Sequence, residues 1–161
     1  MSKKELSVPF IAQRHEKFCA FASLAMVSKY YDSEISQDQG AEFLGGWAEQ
    51  FGVGLSDLKR LAVSKGFRDC DFNRRGRIDD LKSFIDQGHP PIVLHAQCLE
   101  DAYPYSRPLH ARVVVGYDEE CRIIIVHDPQ FGDSREITYG DFSALWEESG
   151  NTYVLMQRVN P

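Results

Sequence analysis

The stretch His110–Pro129, HARVVVGYDEECRIIIVHDP, decides how this chain reads. Two runs of β-branched residues, Val113–Val115 and Ile123–Val126, flank the polar stretch Asp118-Glu119-Glu120. Branching at Cβ suits an extended, pleated backbone, and a polar break between two such runs marks a reversal, so an antiparallel hairpin is expected. With Asp118 to Glu120 as the loop, Tyr117 faces Cys121, and counting back along both strands sets His110 directly opposite Asp128. Residues opposite one another project from one face, close enough to pair. His127 then projects from the other face. A two-residue turn would shift the register by one and remove this pairing. The alternative to a working pair is that His110 and Asp128 merely end an exposed hairpin.

Working outward, HPPIVLHA before the hairpin reads as a short buried strand, with the loop LEDAYPYSRPLH between the two. After the hairpin come the loop DPQFGDS, a strand REITY, a short helix YGDFSALWEE and a last strand NTYVLMQRV. The first half is helical. CAFASLAMVSKYY, from Cys19, is rich in Ala, Leu and Met and reads as a buried helix. Ser36 caps a second helix through about Trp47, ended or frayed by Gly45–Gly46. A third runs from near Ser56 to a stop at Gly66, and RIDDLKSFIDQG forms a fourth, closed by Gly88. FRDCDFN alternates like a strand. Helices first and antiparallel strands afterwards make the fold class α+β.

At 161 residues the chain is expected as a single domain spanning 1–161, with no repeat or linker. Its net charge of −6 argues against nucleic-acid binding, which needs a basic surface. The cluster Arg74, Arg75 and Arg77 around Gly76 reads as a solvated loop. No apolar run is long enough for a membrane segment, and MSKKELSVPF carries no apolar stretch like that of a secretory signal. A cytoplasmic location follows, although signal-independent export leaves no mark in sequence. The four cysteines, Cys19, Cys70, Cys98 and Cys121, form no CxxC knuckle, so neither a metal nor another cofactor is expected.

Cys19 opens the buried helix. There the positive end of the helix dipole favours a thiolate, and unpaired N–H groups can hold an oxyanion. A structural core cysteine fits the same position. Nucleophilic chemistry needs a base within reach, and the hairpin register favours His110 over His127. Gln13, six residues before Cys19, stands where a side-chain amide can supply a second oxyanion donor, or can be an ordinary loop residue.

The order VPFIAQ, Cys19 with its helix, HARVVVGYD, IIIVHDPQFG and ITYGDFSALW resembles the bacteriocin-processing cysteine peptidases, the double-glycine leader peptidases of the papain-like clan. The resemblance runs from about Val8 to Val159. It implies a papain-like fold with the nucleophile helix packed on a C-terminal antiparallel sheet. It also implies Cys19 as nucleophile, His110 as base, Asp128 as its orienting partner and Gln13 at the oxyanion hole. The expected activity is hydrolysis of a peptide or amide bond in a peptide or protein substrate, through an acyl-enzyme. Transfer of the acyl group to an amine or thiol, or peptide binding without catalysis, are the alternatives. Such relatives commonly carry Gly and Pro after the nucleophile, where this chain has Ala20 and Phe21, so Phe21 is expected to reshape the substrate cleft. Tyr103 to Arg107, Tyr103 and Tyr105 above all, are expected to contact substrate, because loops beside catalytic residues gate access. Trp47 and Phe51 read as satellite core packing, with lining a cleft from a loop as the alternative. Sequence says nothing of oligomeric state.

Overall fold

The computed structural model of the chain describes residues 3–68, 71–73, 75–96 and 109–158. Cys70, Arg74, Cys98, Tyr103, Tyr105 and Arg107 lie outside the described residues. Among the described residues, seven strands and six helices follow one another as β1 (Lys3–Glu5), α1 (Cys19–Tyr30), α2 (Gln37–Leu44), α3 (Trp47–Phe51), α4 (Leu55–Ser64), β2 (Asp71–Asn73), α5 (Ile78–Asp86), β3 (Ile92–Ala96), β4 (Leu109–Asp118), β5 (Ile123–Asp128), β6 (Gly132–Thr138), α6 (Tyr139–Glu147) and β7 (Tyr153–Leu155). The strands form one antiparallel sheet in the order β2-β7-β3-β4-β5-β6, with β1 paired to the far end of β4. The α+β expectation holds.

The sheet is buried on both faces, which is why its central strands are apolar at consecutive positions and not only at alternate ones. On one face, α1 and α4 pack Leu24, Val27, Leu58 and Leu61 against Ile92, Val113, Val115 and Ile125. On the other, Leu81 and Ile85 of α5 and Phe142 and Trp146 of α6 cover Val93, Val114, Ile124 and Val126. Helix α1 is buried from Ala20 through Ser28, so its place against the sheet is fixed by burial around its whole girth. Ser28 fits this interior because its hydroxyl donates to Ala25 O at 3.2 Å and accepts the Ile35 N–H at 2.8 Å.

Three sequence expectations need correction. The second helix stops at Leu44, where Gly45 adopts a left-handed φ of 56°, and Trp47 begins the separate helix α3. Ser36 does cap α2, with Gln39 completing the reciprocal capping box. Phe21 is 1% exposed; its ring abuts Gly40, where a Cβ would come within 2.6 Å, so it belongs to the core and not to a cleft. Trp47 and Phe51 are instead exposed and pack on one another, ring centroids 4.3 Å apart.

The hairpin is also built differently. Asp118 pairs with Ile123, Tyr117 with Ile124 and Gly116 with Ile125, so the loop is Glu119 to Arg122 and Cys121 is not Tyr117's partner. Asp118 Oδ1 accepts the Cys121 N–H at 3.1 Å and Arg122 takes a φ of 56°, which together close this longer turn. Carried to the strand end, that register would put Asp128 on the face opposite His110. A bulge at Val115 intervenes, and beyond it Val114 pairs with Val126 and Val113 with His127. The extra residue restores the parity, so Asp128 lies across from Arg112 and diagonal to His110.

Candidate active site

Cys19 is the first residue of α1, preceded by Phe18, which offers no side-chain cap, and no acidic residue occupies the first turn. The N–H groups of that turn have no intrahelical carbonyl to meet, and nothing acidic offsets the positive helix end. The Phe18 N–H donates to His15 O at 3.0 Å, closing the turn that delivers Cys19 to the sheet.

The Cys19 thiol shares a hydrogen bond with the His110 side chain. On the far side of the ring, His110 Nε2 lies 2.8 Å from Asp128 Oδ1, with both residues buried. Because Nε2 is occupied by the carboxylate, Nδ1 is the nitrogen left for the thiol. Asp128 Oδ1 also accepts the N–H groups of Gln130 at 2.9 Å and Phe131 at 3.2 Å, which folds the chain after Pro129 back over the carboxylate. Oδ2 forms an ion pair with Arg112 Nε at 2.7 Å.

The electrostatics follow from these contacts. Burial pushes the Cys19 thiol up, but the hydrogen bond and charge of His110, helped by the backbone at Ala111 and Ala20, outweigh it and hold the thiol below its usual range. Burial opposes the charged form of His110, yet the bonds to Asp128 and Cys19 prevail and lift it to about 9. Asp128 also resists burial; its bond to His110, then the charges of His110 and Arg112, hold the carboxyl far below the ordinary carboxylate range. Both shifts move the site towards a thiolate beside an imidazolium.

Gln13 sits on the segment entering the Cys19 turn. Its backbone N–H donates to Pro129 O at 2.9 Å, and its side-chain Nε2 donates to His15 O at 3.0 Å and Glu16 O at 3.2 Å. In this arrangement the amide ties the turn together. His127, set aside on sequence, is buried away from the thiol, with Nε2 2.7 Å from Val8 O. Tyr103 and Tyr105 fall outside the described residues.

Sequence reading passed over three neighbours of the His110–Asp128 pair. Arg112 is two residues beyond His110, and strand alternation alone puts it on the His110 face; the signal was present. His95 lies directly across β3 from His110, its ring edge-on at 5.4 Å, and Phe131 approaches at 6.4 Å. The β3–β4 register follows no short turn, so the histidine pair had no local signature.

Half-buried Cys19 at a helix terminus and buried His110 and Asp128 on an antiparallel hairpin thus form one Cys-His-Asp arrangement. The chain belongs to the Peptidase_C39 like family, whose model matches residues 5–154. It is similar in fold to a Bacillus anthracis protein described as a C39-like peptidase, at TM-score 0.79 and 19% identity over 100% of both chains. It is also similar to a double glycine motif protease from an AMS/PCAT transporter in complex with the leader peptide, at TM-score 0.71 and 21% identity over 97% of this chain and 95% of that one. A third similar structure is the peptidase domain of Streptococcus ComA, a bi-functional ABC transporter involved in a quorum sensing pathway, at TM-score 0.72 and 21% identity over 92% and 97% of the two chains. No curated protein matches the chain. The family supports a peptidase-type function. Among the described residues no helix is long and apolar enough to cross a membrane.

Proposed function

We propose that this chain is a cysteine peptidase in which Cys19 attacks a peptide carbonyl, His110 shuttles the proton and Asp128 orients His110. The observation that carries this is the continuous chain Cys19–His110–Asp128, with the thiol lowered and the imidazole raised. His110 Nδ1 takes the thiol proton, and the thiolate adds to the carbonyl carbon. The resulting oxyanion is held by the Cys19 N–H at the start of α1 and by Gln13, one of whose amide N–H groups turns from the loop carbonyls to the substrate oxygen. His110 then protonates the departing amine, and water releases the acyl group from sulfur. Asp128 fixes the tautomer that keeps Nδ1 towards the thiol and stabilises the imidazolium. A neighbour of this fold caught with a leader peptide supports a peptide as substrate.

Iodoacetamide titration tests the nucleophile. Cys19 should alkylate at pH 6 well ahead of Cys121, whose thiol is pushed up by the charge of Asp118 and its hydrogen bond. Mass spectrometry of a peptide library incubated with wild type and Cys19→Ala should show products from wild type alone. Fast Cys19 alkylation with no cleavage and no transfer to added amines identifies a binding domain and sinks the hydrolase reading. Equal alkylation of both thiols sinks the primed site itself.

A further inference from the structure

We infer that Gln37 and His127 are positioning residues for the Gln13 arm, acting on the oxyanion side of the site and not on its base. The inference rests on the hydrolase reading above. The segment from Leu6 to Arg14 has no regular secondary structure, yet it is held by side chains that the triad does not use. Gln37, the first residue of α2, is 4% exposed and grips the backbone on both sides of Gln13. Its Nε2 donates to Ala12 O at 2.9 Å, and its Oε1 accepts the Arg14 N–H at 2.9 Å. Gln13 itself is fastened by its N–H to Pro129 O, one residue beyond Asp128.

His127 secures the same segment further upstream. Its Nδ1 accepts the Ser134 N–H at 3.0 Å, so the proton is on Nε2, which donates to Val8 O at 2.7 Å. The ladder between β5 and β6 is irregular between Val126 and Asp128, and Ser134 there holds a φ of 45°. A non-glycine residue in that region is strained, and the strain is maintained where it aims the N–H at His127. The Ser134 hydroxyl also donates to Glu5 Oε2 at 2.8 Å, tying β1 into the same knot. Phe10 packs edge-on against the imidazole at 5.7 Å.

Alkylation and acylation separate this role from the others. Iodoacetamide attack on Cys19 develops no oxyanion, whereas acylation by p-nitrophenyl acetate does. Gln37→Leu and His127→Phe should slow acylation about 10- to 100-fold, the range of a weakened oxyanion donor. The iodoacetamide rate and its pH profile should stay at wild-type values. His127→Gln, which keeps a donor for Val8 O, should recover most of the loss. Combined with Gln13→Ala, neither substitution should slow acylation further. If alkylation falls together with acylation, if acylation is unchanged, or if the losses multiply with Gln13→Ala, the inference is wrong. A wild type lacking fast alkylation at pH 6 instead overturns the hydrolase reading.

Discussion

At the scale of single residues, Asp128 is the most heavily engaged group in the site: one oxygen serves His110 and two backbone N–H groups, and the other serves Arg112. Arg112 is therefore more than a surface cation. Its side chain is 11% exposed and the Asp128 side chain 0%, so the pair is largely out of water. Arg112→Gln leaves a buried carboxylate short of a partner, which costs about 3 kcal/mol of stability, read by urea denaturation. It also removes a positive charge that disfavours the His110 cation. The alkaline limb of the acylation profile should then move above its wild-type position near 9. A stability loss with no movement of that limb would restrict Arg112 to a structural role. That Cys19, His110 and Asp128 come together was readable from residue type, order and parity. Phe21 was misread because adjacency to Cys19 in sequence says nothing about direction on a helix, where the next two residues turn inward.

At the scale of elements, the hairpin shows how a reading can reach the right pair by the wrong register. The loop is one residue longer than its polar core suggested and also starts later, and the bulge at Val115 then restores the parity that the simple count assumed. A bulge inside a run of three valines has no sequence signature, because every residue in it is equally suited to a strand. Strand β1 was missed for a related reason: three exposed residues, Lys3–Glu5, carry no alternation. Its docking depends on Gly116. A Cβ there would lie 2.3 Å from Lys4 O and 2.9 Å from Glu5 Cα, both backbone atoms that cannot swing aside. Gly116→Ala should detach β1 and cost about 1–3 kcal/mol. The Leu6 amide, which donates to Val115 O at 2.7 Å, should lose hydrogen-exchange protection, while the amides of Ile124 and Val126 keep theirs. Protection of Leu6 unchanged from wild type would show that β1 is not held by this contact.

At the scale of the molecule, two helical layers clamp one sheet, and the α+β pattern was legible because its longest elements carry the strongest periodicity. The short helix Trp47–Phe51 was not, since its form depends on its neighbours, whereas the strand Asp71–Asn73 was legible in the alternation of FRDCDFN. The whole-molecule consequence of the site is in its proton balance. The raised His110 contributes stability below its ordinary value of 6.5 that is lost as pH rises through about 9. The lowered Cys19 contributes stability above its ordinary value of 9.0 that is lost as pH falls through its folded value. The two slopes have opposite signs, so in wild type they offset in part, a proton gained at nitrogen against one given up at sulfur. Cys19→Ala removes one half. His110, still bonded to Asp128, then binds a proton in the folded state that the unfolded chain releases, and stability must fall as pH rises. Urea midpoints at pH 6.5, 7.5 and 8.5 should decline more steeply for Cys19→Ala than for wild type. Midpoints level with pH in both proteins would place the neutral thiol and neutral imidazole in the resting site.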